Sequence, residues 1–428
     1  MATLLLRNCK FAIDWTGDEL RVLRNIDVLI KDGVIENIGV KPWGDYEEID
    51  CSSSILMPGL VNAHTHTPMS LMRGFYDDAE LMDWLNKMWS VERELTPEII
   101  SLGSELSIIE SIMSGSTALV DMYMYPEATA EVAIKYGIRM ALGPVFMDTM
   151  FNPTRVENDL RNFTAMYSNN PLIKTIINIH SVYTCSKDTL ERARNLSREL
   201  NTNIQIHISE TRDEVYSTWS KWNMFPIDYL DGLGLLTPRT QLVHLGWVTN
   251  WELGKIARAG SIVTHAPTSN MKMATAGHFP MREIMDMGII VTLGTDGPGS
   301  NNSLDMFREM KNAVLLQRHS YWDVSIKAIH ALKAATINGY KLLNIKGGCA
   351  SPGCIADLVL IDAKAPNLQP LRDDNLVSAL VYSAVGNNVK MVIANGRVIY
   401  DRDRDYEKFV DRALSISERL NDFIRRFI

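Results

Sequence analysis

The stretch Pro58-Gly-Leu-Val-Asn-Ala-His64-Thr-His66 carries two histidines one residue apart at the end of an apolar run. Strand side chains alternate in direction, so His64 and His66 point to the same side. Two imidazoles held together in this way form half of a site for a divalent transition metal. Other apolar runs end in residues able to complete it: one at His180, one at His207 followed by Glu210, one at His244 and one at Asp296. Taken singly, each has a bland reading as a hydrogen-bonded strand-end histidine, a solvated carboxylate or a turn residue. Jointly they place five of the chain's nine histidines at strand ends.

The chemistry is then concrete. His64, His66, His207 and Asp296 supply three neutral imidazoles and one carboxylate, a set suited to one Zn2+ and also acceptable to Fe2+ or Mn2+. An open position would hold water, and the cation would lower its pKa to roughly 7. His244 is expected to hold or polarise that water. Glu210, three residues beyond His207, is expected to shuttle a proton, and Asp296 to take one from the water as well as bind metal. The fourth run ends at His180, and the nearest following lysine is Lys187, so no bridging lysine for a second metal is expected. HExxH and the Pro-Cys-x-x-Cys of cytidine-deaminase-type sites are absent.

Such a constellation needs a frame that brings distant strand ends together. Eight apolar runs serve: 55–62, 117–122, 139–146, 173–179, 203–208, 240–245, 261–264 and 289–295. Several are unbroken apolar blocks, as in parallel strands covered on both faces, and helical patterns separate most of them. Eight strand–helix units predict an α/β fold of the (β/α)8 type, whose C-terminal strand ends share one face. Short β-like runs with Asp-Gly and Asn-Gly turns occur at both chain ends and predict a small β-sandwich built from both. The expected division is 1–57 for the first part of the sandwich, 58–345 for the metal-dependent barrel, 346–404 for the rest of the sandwich and 405–428 for a closing helix.

Composition bounds the alternatives. The 428 residues are 46% hydrophobic and 22% charged with a net charge of −8, which gives no support for binding nucleic acid or an anionic membrane. No stretch reads as a secretory signal or a membrane span. Cys9, Cys51, Cys185, Cys349 and Cys354 form no CxxC pair, so neither a disulfide framework nor a thiolate metal site is expected, and a cytoplasmic location is. Core filling is the plain reading of the 22 methionines.

Pro58 to His66, His207-Ile-Ser-Glu210, Val243-His244 and Gly294-Thr-Asp296-Gly-Pro-Gly-Ser-Asn-Asn302 together resemble the amidohydrolase superfamily over nearly the whole chain. His66-Thr-Pro-Met-Ser-Leu-Met-Arg-Gly74 narrows the resemblance to the 5'-methylthioadenosine/S-adenosylhomocysteine deaminases, which include 5'-deoxyadenosine deaminases. The resemblance implies metal-dependent hydrolytic loss of ammonia from C6 of an adenine nucleoside, a small-molecule substrate, by a homo-oligomer. It implies that Glu210 protonates the ring nitrogen beside the attacked carbon and also contacts substrate, as does Asp296. Glu92 matches a position that grips ribose hydroxyls, and His180 another substrate-contacting position. Arg155 resembles one of two arginines that bind an amino-acid carboxylate in some members; Pro144 stands where the second belongs, which favours a small apolar 5' group. Trp84, Met88 and Trp89 share a helical spacing, read first as packing and second as a wall for that group. The competing expectation on the same scaffold is a guanine, pterin or s-triazine deaminase or chlorohydrolase.

Overall fold

Short β-branched and aliphatic runs set most of the architecture of this computed structural model, which describes residues 3–39, 45–275 and 277–428. The strands in chain order are β1 (Leu4–Thr16), β2 (Glu19–Lys31), β3 (Val34–Ile38), β4 (Glu47–Asp50), β5 (Ser54–Pro58), β6 (Leu60–Thr65), β7 (Ser116–Asp121), β8 (Arg139–Leu142), β9 (Val145–Phe146), β10 (Ile173–Ile179), β11 (Asn203–Ile208), β12 (Thr240–His244), β13 (Ile262–His265), β14 (Val291–Leu293), β15 (Leu358–Asp362), β16 (Val389–Ala394) and β17 (Arg397–Asp401).

They form two sheets. One runs β6-β7-β8-β10-β11-β12-β13-β14, parallel throughout, with β9 continuing β8 along β10. Its two edge strands meet: Asp296 N donates to His64 O at 3.0 Å, and the Asn62 amide donates to Thr295 Oγ1 at 2.7 Å and accepts from Thr295 N at 3.0 Å. The result is a nearly closed eight-stranded barrel. Strands β6, β7 and β12 are buried along their whole length, which explains apolar runs without alternation. The helices between them are amphipathic and capped. Ser186 accepts from Thr189 N to start the helix Lys187–Leu200, whose Leu190, Ala193 and Leu196 face the barrel. Thr249 and Glu252 form a reciprocal box at the start of Asn250–Ala259, and Gly260 ends it at φ 69.

The second sheet has the order β17-β16-β15-β5-β1-β2-β3, with β4 beside β1. Both chain ends build it, and β5 joins them, parallel to β1 and antiparallel to β15. The expected sandwich takes the form of one sheet curled on itself, with Val34 bridging to Ile355.

Two expected strands are split. The run 55–62 is β5 in the curled sheet and β6 in the barrel, with Gly59 between them pressed so close to Thr117 that a Cβ would lie 2.0 Å from its Oγ1. The run 139–146 breaks at Gly143, where a Cβ would lie 1.9 Å from Ile176 O. Close backbone approach, which no local pattern signals, ends both strands.

The expectation of no disulfide is overturned: Cys349 and Cys354 are bonded, with Cα atoms 6.1 Å apart. The intervening Ala350-Ser-Pro-Gly353 turn is pinned by Asp14, which accepts from Ala350 N at 2.9 Å and Ser351 Oγ at 2.6 Å, and that folding back brings two sulfurs together outside any CxxC spacing. The closing helix spans Arg402–Ile424 and packs on the helix Pro97–Met113, where Arg412, Lys135 and Tyr136 surround the buried Glu105 carboxylate. Among the described residues, no helix is long and apolar enough to cross a membrane.

Candidate active site

At the C-terminal end of the barrel, His64, His66 and His207 bring three ring nitrogens within 4.8 Å of one another. Asp296 Oδ1 lies 3.4 Å from His64 Nε2 and 3.1 Å from His66 Nε2. Residues 143 positions apart, His64 and His207, face each other through Nε2 atoms 3.1 Å apart.

The tautomers follow from backbone carbonyls, which only accept hydrogen bonds. Asn178 Nδ2 donates to Asp121 O at 3.0 Å and Gly143 O at 2.8 Å, so its Oδ1 is the acceptor for Gln205 Nε2 at 3.0 Å. Gln205 Oε1 is then free to accept, and His64 Nδ1–H donates to it at 2.6 Å. His66 Nδ1–H donates directly to Met122 O at 2.6 Å. His64 therefore presents an Nε2 lone pair to the centre. That lone pair and the Asp296 carboxylate oxygen, 3.4 Å apart, repel unless something positive lies between them. The donor set and its supporting hydrogen bonds fit a divalent cation.

The electrostatics agree. Burial lowers His64 to about 4 and His180 to about 3, so both imidazoles are neutral at pH 7. Burial also opposes charge on His66, but Asp296 outweighs it and carries His66 up to about 9; that proton stands where a cation would balance the carboxylate. Asp296 is itself held well below the usual carboxylate range: burial opposes this, and the adjoining His64 and His66 rings overcome it. Its Oδ2 accepts from Ser269 Oγ at 2.5 Å and Ser300 Oγ at 2.9 Å.

The other predicted residues are distributed unevenly. Glu210, His244, His180 and Glu92 line the same cavity as His66, His207 and Asp296. His244 Nδ1 hydrogen-bonds Asn270 Oδ1 at 2.9 Å, and its Nε2 is 3.9 Å from Glu210 Oε2. Burial pushes the Glu210 carboxyl above the usual carboxylate range, with the nearby His244 opposing it. Glu92 is also raised by burial, against a 2.6 Å hydrogen bond from Tyr123 OH. Trp84, Met88 and Trp89 line the cavity as well, so the packing face and the wall are one surface. Arg155 is not brought to this cavity. It lies in an adjoining groove, 80% exposed, with its Nε 3.6 Å from Asp159. Lys187 is at the start of a helix beside Glu191, away from the site.

The backbone is left-handed at Ser209 (φ 52), His244 (φ 81), Leu245 (φ 49) and Asp296 (φ 62). Each such non-glycine position costs of order 1–3 kcal/mol and is tolerated where surrounding contacts hold it.

Several supporting residues escaped the sequence reading. Asn62, Asn178 and Gln205 each precede a site histidine by two positions, so amide and imidazole share a strand face. A polar residue repeating at that spacing inside an apolar strand was the available signal. His265, at the end of β13, was also missed; it is buried and stacks on Phe279 with ring centroids 4.1 Å apart.

Comparison with known proteins fits this geometry. The Amidohydrolase family matches residues 55–399. A 5-methylthioadenosine/S-adenosylhomocysteine deaminase from Pyrococcus furiosus is 39% identical over 94% of this chain and 98% of its own length. A 5'-deoxyadenosine deaminase from Methanothrix thermoacetophila is 38% identical over 93% of this chain and 96% of its own. Among solved structures, an adenosine deaminase from Xanthomonas campestris with bound zinc superposes with a TM-score of 0.92 at 30% identity, covering 98% of both chains.

Proposed function

The chain belongs to the amidohydrolase family, a family of enzymes that work with a divalent metal, and from that premise we propose that it is a mononuclear, metal-dependent deaminase of adenine nucleosides. The observation that carries the reading is the convergence of His64, His66, His207 and Asp296 beside the largely buried carboxyl of Glu210 in one cavity. Those four residues would hold one cation, with Zn2+ best suited to the donor set, and the cation supplies the Lewis acidity that makes a water nucleophilic near neutral pH.

The chain's own groups do the rest. Glu210 gives its proton to N1 of the purine as C6 is attacked, so negative charge does not build on the ring. His244, with Nδ1 bound to Asn270, turns Nε2 toward the attacking water and orients it. Asp296 accepts one water proton and passes it to the departing amine, which leaves as ammonia, while the remaining hydroxyl proton returns to Glu210 as the C6 carbonyl forms. Glu92 accepts hydrogen bonds from the ribose cis-diol, its other partner being the Tyr123 hydroxyl. His180 closes the side of the cavity nearest Trp89, with ring centroids 6.3 Å apart.

The preferred 5' group is small and apolar. Met69, Met88, Met122, Met124, Met147, Met150 and Met273 line the cavity, and among the described residues no lysine or arginine does. An amino-acid carboxylate there would have no cationic partner, since Arg155 is outside and engaged with Asp159. The test is a kcat/KM ranking of adenosine, 5'-deoxyadenosine, 5'-methylthioadenosine and S-adenosylhomocysteine, followed by loss of adenine absorbance. The expected order puts 5'-deoxyadenosine and 5'-methylthioadenosine first. Preference for S-adenosylhomocysteine removes the apolar reading; turnover of guanine or a chlorotriazine with none of adenosines removes the whole.

A further inference from the structure

Glu210 follows a residue whose backbone needs support. Ser209 takes φ 52, a conformation that disfavours any side-chain-bearing residue, and it sits between β11 and the helix Arg212–Trp222. One buried carboxyl holds this turn. Glu214 Oε1 accepts from Ser209 N at 2.9 Å, and Glu214 Oε2 accepts from Glu210 N at 2.8 Å. Glu214 is 4% exposed and Ser209 is fully buried, so the two bonds lie largely out of reach of solvent.

The local sequence Thr211-Arg-Asp-Glu214 has the spacing of an ordinary helix-capping box, and Thr211 Oγ1 does accept from Glu214 N at 3.0 Å. In an ordinary box the glutamate returns to the amide of the capping residue itself. Here it reaches past Thr211 to the two preceding amides, which belong to the site rather than to the helix. On the other side, Ser209 O accepts from Trp247 N at 2.9 Å, three residues beyond His244. The turn is thus tethered from the helix below and from the neighbouring strand end.

We propose that Glu214 is a positioning residue: by bridging the amides of Ser209 and Glu210 it holds the left-handed turn that aims the Glu210 carboxyl into the cavity. The inference rests on the proton-transfer role of Glu210. A glutamine at 214 keeps the size of the side chain but has one acceptor oxygen, so one of the two amides loses its partner. Displacement of a reacting group by about 1 Å can cost about 100-fold in rate.

The test uses the metal-loaded full chain with its best adenine nucleoside. Glu214→Gln is expected to lower kcat about 100-fold with KM changed less than about threefold, and to keep bound metal, measured by elemental analysis, at the wild-type level. Adding Glu214→Gln to Glu210→Gln is expected to cost nothing further, because the residue acts through Glu210. Ser209→Gly in the Glu214→Gln background is expected to restore about tenfold, since glycine adopts the turn without a tether. Glu214→Asp, which keeps both oxygens on a shorter arm, gives an intermediate loss and serves if the glutamine variant does not fold. A wild-type kcat in Glu214→Gln overturns the proposal, as does an equal loss in both backgrounds or a loss that tracks metal content. Full activity in Glu210→Gln removes the proton-transfer reading and this inference with it, whereas collapse there beside an unaffected Glu214→Gln removes this inference alone.

Discussion

Gln205 shows how far a proposed ligand, His64, depends on its neighbour for orientation. Its amide is oriented by Asn178, and it in turn sets the proton on His64 Nδ1. Gln205→Leu keeps the volume and removes the acceptor, so His64 loses its fixed tautomer. Metal affinity is expected to fall about 10–100-fold, measured by chelator competition, with the far-ultraviolet spectrum unchanged. Glu210→Gln has the opposite signature. It leaves the four proposed ligands intact, so bound metal stays at the wild-type level while kcat falls by about 100-fold or more, read by steady-state kinetics with metal analysis. The residue types at 64, 66, 207, 210, 244 and 296 were legible because strand ends and one-residue spacing are local properties. Arg155 was not, because its placement depends on where the helix Pro153–Tyr167 points its exposed face and on Asp159 one turn later.

At the level of elements, the closing helix meets two helices of the barrel's outer layer around a buried carboxylate. Glu105 accepts from Lys135 Nζ at 2.6 Å, Tyr136 OH at 2.8 Å and Arg412 Nε at 3.0 Å. Burial alone would raise its pKa, but the hydrogen bonds from Arg412, Lys135 and Tyr136 carry it down to about 2. A carboxylate depressed in the folded state adds stability that is fully present above its unfolded value near 4.5 and is lost as pH falls toward 2. Glu105→Gln should flatten the acid limb of stability between those values, seen in denaturant midpoints across pH. It should also destabilise the neutral protein by about 2 kcal/mol, through loss of charge-assisted bonds at a buried site. The short helix Pro267–Lys272 plays a similar joining role at the mouth. Ser269 donates to Asp296, Asn270 orients His244, and Lys272 Nζ donates to Asp77 Oδ1 at 2.7 Å and Asn302 Oδ1 at 2.8 Å. Lys272→Met is expected to loosen the segment around Asp77, giving faster limited proteolysis there and a several-fold higher KM. Helix patterns and caps announced most of these elements in the sequence. The breaks at Gly59 and Gly143 and the Cys349–Cys354 bond were hidden, since each is imposed by a neighbour that is remote or brought close only by the turn.

For the molecule as a whole, the proposed ligands span the seam of the barrel. His64 is on the first barrel strand, Asp296 follows the last, and His207 comes from the fifth, so one cation would tie both edges to the middle. Removing metal with a chelator should therefore lower Tm by several degrees or more, and adding Zn2+ should restore it, because a ligand bound only to the folded state stabilises it in proportion to its binding. An unchanged Tm on chelation, with metal shown by analysis to be gone, would separate the site from closure of the barrel. The amino-acid sequence alone determined the repeat of strand and helix, the two-ended sheet and the kinds of atom offered at the strand ends, because these follow from periodicity and residue type. Only the tertiary structure decided which histidine nitrogen bears the proton, which residues lie left-handed, where Arg155 goes and which cysteines pair. Those outcomes are set by contacts such as His64 with Gln205, 141 residues apart, and by the way the packed chain brings neighbours together, and no local pattern encodes either.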